Sequence, residues 1–172
     1  NIEAMVATEP DVALVGVSSD KGNAQIADVG IPTYVMLIGW AAVDTLKQEF
    51  LNVGKIVGDE QKAEDLVAHW DRVLGGLAEK VAAIPEGEAD LNGDVTIEKA
   101  LEWDPDVIVI QGGKDINAIY ESEQVQDMKA IKNKQVFSVP IAGFWWDRPS
   151  PEATLGFLWL AQTVYPDYMA DI

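Results

Sequence analysis

Short apolar runs and long helix-spaced stripes take turns along the chain, and their order predicts an α/β protein. Residues 12–15 and 31–38 read as strands, with Pro32 tolerated because it sits at the opening of the second. A polar loop over 16–23 and a short helical segment over 24–29, ended by Gly30, separate them. The second half runs in the same order: a strand over 107–110, a Gly112-Gly113-Lys114-Asp115 loop, a helix over 124–131 and a strand over 135–139. Strands alternating with helices predict a parallel sheet in each half. Between the halves the period changes. Val43, Leu46, Phe50, Val53 and Val57 keep helical spacing over 41–57, and Gly58 ends that helix. Asp59 can cap a second helix reaching to about Ile84, where Pro85 and Gly87 stop it. At 1.5 Å per residue such a helix is about 39 Å long, enough to act as a strut, with Gly75-Gly76 as its weak point.

Two stretches repeat one another. In both Asn1-Ile2-Glu3 and Thr96-Ile97-Glu98 an Ile-Glu pair opens a helical turn. Glu9-Pro10-Asp11 and Asp104-Pro105-Asp106 stop it, and a strand follows. A repeat of this size predicts two similar lobes, an arrangement that commonly encloses a ligand. The last segment adds unusual chemistry, Gly143-Phe144-Trp145-Trp146-Asp147-Arg148-Pro149-Ser150-Pro151-Glu152. Ser150 suits an N-cap and Pro151 a first helical position, so a helix is predicted to begin there and to end at Tyr165-Pro166. That puts an aromatic loop between the carboxyl end of a strand and the start of a helix, where open α/β sheets bind ligands.

Composition narrows the function. The 172 residues are 48% apolar, enough for a sizeable core. A formal charge of −17 repels phosphate-rich partners, which argues against nucleic acid and anionic membrane surfaces. The longest apolar run, around 34–38, falls far short of the roughly 18–20 residues that cross a bilayer. Cysteine is absent, so disulfides, thiolate metal sites and cysteine nucleophiles are excluded. The first residue is Asn, as expected of a processed or trimmed end.

Several features taken in order resemble a known family. They are the two Glu…Pro-Asp-Val segments that lead into strands, the Gly30-Ile31-Pro32 strand opening, and the Lys62-Ala63-Glu64 helix after the Ile56-Val57-Gly58 turn. The Ala130-Ile131-Lys132-Asn133-Lys134-Gln135-Val136-Phe137-Ser138-Val139-Pro140 stretch and Trp146-Asp147-Arg148-Pro149-Ser150-Pro151-Glu152 complete the set. Together they resemble the periplasmic substrate-binding proteins of metal-chelate ABC importers, the helical-backbone type that binds ferric siderophores, haem or cobalamin. The resemblance covers nearly the whole chain. It implies two lobes with parallel central sheets joined by a long helix. The lobes would be residues 1–57 and 86–172, both partial, with the linking helix at 58–85. It implies a metal chelate held between the lobes, a ferric siderophore first, with haem or cobalamin as alternatives. It also implies export to the periplasm or the outer face of the cell membrane, with or without a lipid anchor, and delivery to a dimeric ABC permease. One acidic residue per lobe would dock on that permease, and the family's positions fall on Glu3 and Glu98. Relative to complete members, the opening of the first lobe and the segment near residues 84–94 are short, which predicts residues missing there.

Residue by residue, the candidates for ligand contact are Trp145, Trp146, Arg148, Ser18, Ser19, Lys114 and Trp40. Arg148 offers a planar fork for an anionic group, and the tryptophans offer flat apolar faces. Against this stands a plainer reading in which one Trp packs in the core and Arg148 pairs with Asp147 or Glu152. Likewise, Glu3 and Glu98 gain from the helix dipole in a first turn whether or not they dock. No cofactor and no metal site is expected. His69 is the single histidine, on a helix and without a second histidine. Asp90-Leu91-Asn92-Gly93-Asp94 misses the calcium-loop pattern at its sixth and twelfth positions, Val95 and Leu101. Neither a phosphate loop nor a nucleophile elbow is present, so an enzyme is not expected. The rival readings are an α/β enzyme using cleft carboxylates, which requires a carboxylate with a strongly raised pKa, and a non-catalytic structural module.

Overall fold

The computed structural model describes residues 1–17, 19–36, 42–84 and 95–171. In chain order these form α1 (Ile2–Val6), β1 (Ala13–Gly16), α2 (Asp20–Asp28), β2 (Thr33–Met36), α3 (Val43–Val57), α4 (Glu60–Val81), α5 (Ile97–Trp103), β3 (Ile108–Ile110), α6 (Ile116–Tyr120), α7 (Lys129–Lys132), β4 (Val136–Ser138) and α8 (Ala153–Val164). The strands pair in parallel. β1 lies on β2 with Ala13 opposite Thr33, and β3 lies on β4 with Ile108 opposite Val136. The chain divides into two compact units, Asn1–Ala68 and His69–Ile172, and the division falls inside α4. The expected fold class, two α/β lobes with parallel sheets joined by a long helix, is what the chain adopts.

In the first unit, α2 begins four residues earlier than the loop expected over 16–23 allows. Ser19 is its N-cap, its hydroxyl accepting the Gly22 N–H at 3.2 Å, and Asn23 ties the helix to the end of β1 by donating to the Gly16 carbonyl at 2.9 Å. Ile26, Ile31, Leu46 and Ala63 are buried. α3 ends on Gly58 at φ 76°, the left-handed cap that the sequence places there. The turn brings α4 back so closely that a Cβ on Gly54 would lie 2.5 Å from the Cβ of Ala63. Asn52 on α3 donates to the Tyr34 hydroxyl of β2 at 2.9 Å.

In the second unit the core gathers Val125, Met128, Ile131 and Val136, covered by Ala100, Ile108, Ile116, Ile119 and Tyr120. The helix expected over 124–131 is instead a 3₁₀ turn, Glu123–Val125, followed by α7. Met128, at φ −66° and ψ 143°, interrupts it. The reason is tertiary. Asp104 Oδ1 accepts the Lys129 N–H at 2.8 Å and the Pro105 carbonyl accepts the Ala130 N–H at 3.0 Å, so the triplet that ends α5 also starts α7. α8 begins at Ala153, two residues after the expected start. Ser150 accepts the Ala153 N–H through its carbonyl, and its hydroxyl has no partner among the described residues, so it does not cap the helix. α4 ends at Val81, with turns to Ile84. Its 22 residues make about 33 Å of helix, shorter than the sequence implied. Among the described residues no helix is long and apolar enough to cross a membrane.

Candidate functional site

The segment after β4 folds back on itself rather than running out as a loop. Ile141 and Trp145 form an antiparallel bridge, the Ala142 N–H donates to the Phe144 carbonyl at 3.1 Å, and the Arg148 N–H donates to the Trp145 carbonyl at 3.2 Å. The fold-back lies against the loop after β3. A Cβ on Gly112 would lie 2.7 Å from the Val139 carbonyl oxygen and 3.0 Å from Ile141, so only glycine fits there. Gly113, at φ 76°, approaches Trp145 so that a Cβ would sit 3.6 Å from the ring edge. Lys114 closes this turn by donating its N–H to the Gln111 carbonyl at 3.4 Å. The Arg148 guanidinium stacks on the Trp145 ring, 5.0 Å from its centroid, with the side chain about half exposed. Among the described residues the acid beside it is Asp147 at 3.8 Å, a separation longer than a hydrogen bond.

The two tryptophans therefore have different situations. Trp146 donates its indole N–H to Glu152 Oε2 at 3.3 Å, and its carbonyl presses on α8 so that a Cβ on Gly156 would lie 2.3 Å away. Glu152 Oε2 also accepts the Phe144 N–H at 3.1 Å. Of the two plainer alternatives, Arg148 is beside Asp147, while Glu152 is engaged by Phe144 and Trp146. An open hollow of about 430 Å³ lies alongside, lined by Gly143, Phe144, Pro149, Ser150, Pro151 and Glu152. Below it Trp70, fully buried, donates its indole N–H to the Pro151 carbonyl at 3.2 Å.

The structure thus brings Trp145, Arg148 and the Lys114 loop together and directs Trp146 to a packing role. Ser19 belongs to the first unit, where it caps α2; Ser18, Trp40 and the 90–94 segment lie outside the described residues. Glu152 was missed as a member of the site. Its place is set by the fold-back, which brings Gly143, nine residues earlier, so near that a Cβ there would lie 2.5 Å from Glu152 Oε1, and the sequence carries no local signal of it.

Glu3 and Glu98 occupy matching positions. Each is exposed on the second residue of its helix, behind a side-chain cap. Asn1 Oδ1 accepts the Glu3 N–H at 3.0 Å, and Thr96 Oγ1 accepts the Lys99 N–H at 3.3 Å. The Glu98 carboxyl is held below its ordinary value by its own backbone N–H and by the Thr96 hydroxyl. Asp59 is likewise lowered, chiefly by hydrogen bonding to Lys62. Among the described residues these two carboxylates are displaced downward, away from what a neutral-pH general acid needs. Among the described residues no group of three or more potential ligands is placed to hold a metal.

Residues 1–89 match the family described as periplasmic binding protein. The chain belongs to that family. Molybdate-binding protein MolA of Haemophilus influenzae is 26% identical across the whole chain, and its structure with molybdate bound superposes with a TM-score of 0.81. A periplasmic solute binding protein from Veillonella parvula has a TM-score of 0.85 at 22% identity over 100% of this chain. Helicobacter pylori CeuE, solved with Ni(II) bound, has a TM-score of 0.82 at 18% identity, also over 100% of this chain. The chain spans 66% of MolA, 64% of the Veillonella protein and 67% of CeuE. At these identities the superpositions speak to fold.

Proposed function

We propose that this chain is the ligand-capturing component of an ABC importer, exported to the periplasm or the outer cell face. In this reading it binds an anionic metal-containing solute, a ferric siderophore in the first instance, and delivers it to a permease dimer. The observation that carries the reading is Arg148 stacked on Trp145 beside the Gly112-Gly113-Lys114 loop. A guanidinium spread on an indole face is held in place without losing its outward donors, so it meets an anion at little cost in side-chain entropy. Trp145 then serves as a platform for the cation, which favours an anionic chelate over a neutral flat ring stacked on the indole. A second reading, a tetrahedral oxyanion such as molybdate, has support in the MolA relationship. In either case Glu3 and Glu98 are the permease-docking residues. Both are exposed, with apolar Val6 beside the first and Ile97 and Leu101 beside the second also exposed.

Tryptophan fluorescence titration with a ferric tris-catecholate and with sodium molybdate tests the reading. Saturable quenching by one of them is expected, lost in Arg148→Ala. If neither ligand changes the emission, or if Arg148→Ala binds as tightly as the parent protein, the proposed site is wrong.

A further inference from the structure

The Gly143–Arg148 fold-back holds its shape through one carboxylate. We infer that Glu152 is a positioning residue: its carboxylate clasps the fold-back, holding Trp146 by its indole N–H and so fixing the turn that carries Trp145 and Arg148. The inference rests on the reading that Trp145 and Arg148 meet the ligand, and it adds what sets their orientation.

Three observations converge on Glu152. A single oxygen, Oε2, accepts both the Phe144 N–H at 3.1 Å and the Trp146 indole N–H at 3.3 Å, one on each side of Trp145. An ionised carboxylate has the lone pairs and the charge to take both, and such bonds are about twice as strong as neutral ones. The other oxygen lies over Gly143, where a Cβ would come within 2.5 Å, so the start of the fold-back is shaped to the carboxylate. Finally, Glu152 is itself seated. The preceding residue, Pro151, accepts a hydrogen bond from Trp70, a fully buried side chain of α4, at 3.2 Å. The long helix, the Pro151 turn, Glu152 and the aromatic fold-back form one connected chain of contacts within the second unit.

The clasp also governs Arg148. With Oε2 occupied by two donors, the acid that the guanidinium meets among the described residues is Asp147, at 3.8 Å. Removing the clasp therefore loosens the fold-back that carries Arg148.

The test compares Glu152→Ala, Glu152→Gln and Gly143→Ala by hydrogen exchange at the Phe144 amide and the Trp146 indole N–H, with affinity for ferric tris-catecholate and molybdate measured alongside. Glu152→Ala should speed exchange at both positions on the order of tenfold, and weaken binding by a similar factor, without altering exchange in β3 or β4. Glu152→Gln keeps an acceptor oxygen of the same reach but not the charge, and should restore about half of both. Gly143→Ala displaces the carboxylate without removing it and should match Glu152→Ala in exchange. Unchanged exchange in Glu152→Ala overturns the clasp whatever the ligand result. Faster exchange with undiminished affinity overturns its positioning role, provided Arg148→Ala still abolishes binding. If no probe binds the parent protein, or Arg148→Ala is silent, the ligand reading fails instead, and the clasp stands or falls on exchange alone.

Discussion

Gly75 and Gly76 offer a clean measurement of what α4 contributes. Both lie in the interior of the helix, and a Cβ added at either would meet nothing within 4 Å. Neither is at positive φ. Replacing each with alanine therefore changes only the conformational freedom of the unfolded chain and the helix propensity, about 1 kcal/mol per position and about 2 kcal/mol for the pair. For a protein of this size the double variant should melt roughly 4–8 °C higher. The assay is urea unfolding followed by far-UV circular dichroism, where the midpoint should rise at unchanged slope. Gly54→Ala in α3 is the same chemical change in the same kind of element, yet the opposite sign is expected. There the new methyl would stand 2.5 Å from the Ala63 Cβ and 3.3 Å from the Asp59 carbonyl oxygen. Overpacking costs about 1–3 kcal/mol, which exceeds the propensity gain when backbone is what must move. A double variant at 75 and 76 that fails to raise the midpoint would refute the claim that these glycines are solvent-facing helix positions without a packing role.

Other expectations follow from the same contacts. Thr96→Ala removes the α5 cap and should cost about 1 kcal/mol in urea unfolding; by NMR titration it should also raise the Glu98 pKa toward its ordinary value of 4.5, because the Thr96 hydroxyl is one of the groups holding it down. Since the folded-state pKa of Glu98 is the lower one, its contribution to stability is present above the unfolded value and is lost as pH falls through the folded value, so Thr96→Ala should flatten the acid limb of the stability profile. Gly156→Ala, whose Cβ would fall 2.3 Å from the Trp146 carbonyl oxygen, should shift the Trp146 environment in near-UV circular dichroism and destabilise by about 1–3 kcal/mol. Glu3→Ala combined with Glu98→Ala should leave solute affinity intact and abolish stimulation of the permease ATPase; if stimulation persists, the two glutamates serve only their helices.

Where the sequence misplaces the helix over 124–131, a distant contact decides the outcome. The strands and the cap at Gly58 were legible because each depends on residues within a few positions. Over 124–131, where one helix is expected, Val125, Met128 and Ile131 reach the core from a 3₁₀ turn followed by α7. What separates the two is Asp104, far back in the chain, holding the Lys129 N–H. α6 escaped notice because five residues are too few to show a period; its signal was Asp115, whose side chain accepts the Asn117 N–H at 2.9 Å. The site divides in the same way. Arg148 and Trp145 were visible as residue types, but their stacking, and the assignment of Trp146 to Glu152, depend on a fold-back that no periodicity encodes.

The internal repeat shows how far one local pattern can be put to different ends. In both copies the acidic residue before proline adopts positive φ, 47° at Glu9 and 44° at Asp104, so the two stops share a backbone conformation as well as a sequence. A non-glycine residue there carries strain, and an acidic side chain offsets some of it only if it finds donors. Asp104 does so. Its Oδ1 takes the Lys129 amide at 2.8 Å while its Oδ2 lies 3.6 Å from Lys129 Nζ, and Pro105 takes the next amide. In the second unit the stop after α5 has thus become the start of α7, and α7 delivers Ile131 to the core beneath β3 and β4. Asp104→Ala should therefore cost more than a surface charge, about 1–3 kcal/mol, because it leaves the α7 N-terminus without its acceptor. Asp104→Asn, which keeps the acceptor oxygen and tolerates positive φ, should recover most of that loss. If Asn were as damaging as Ala, the ion pair with Lys129 and not the cap would be what the second copy of the repeat had gained.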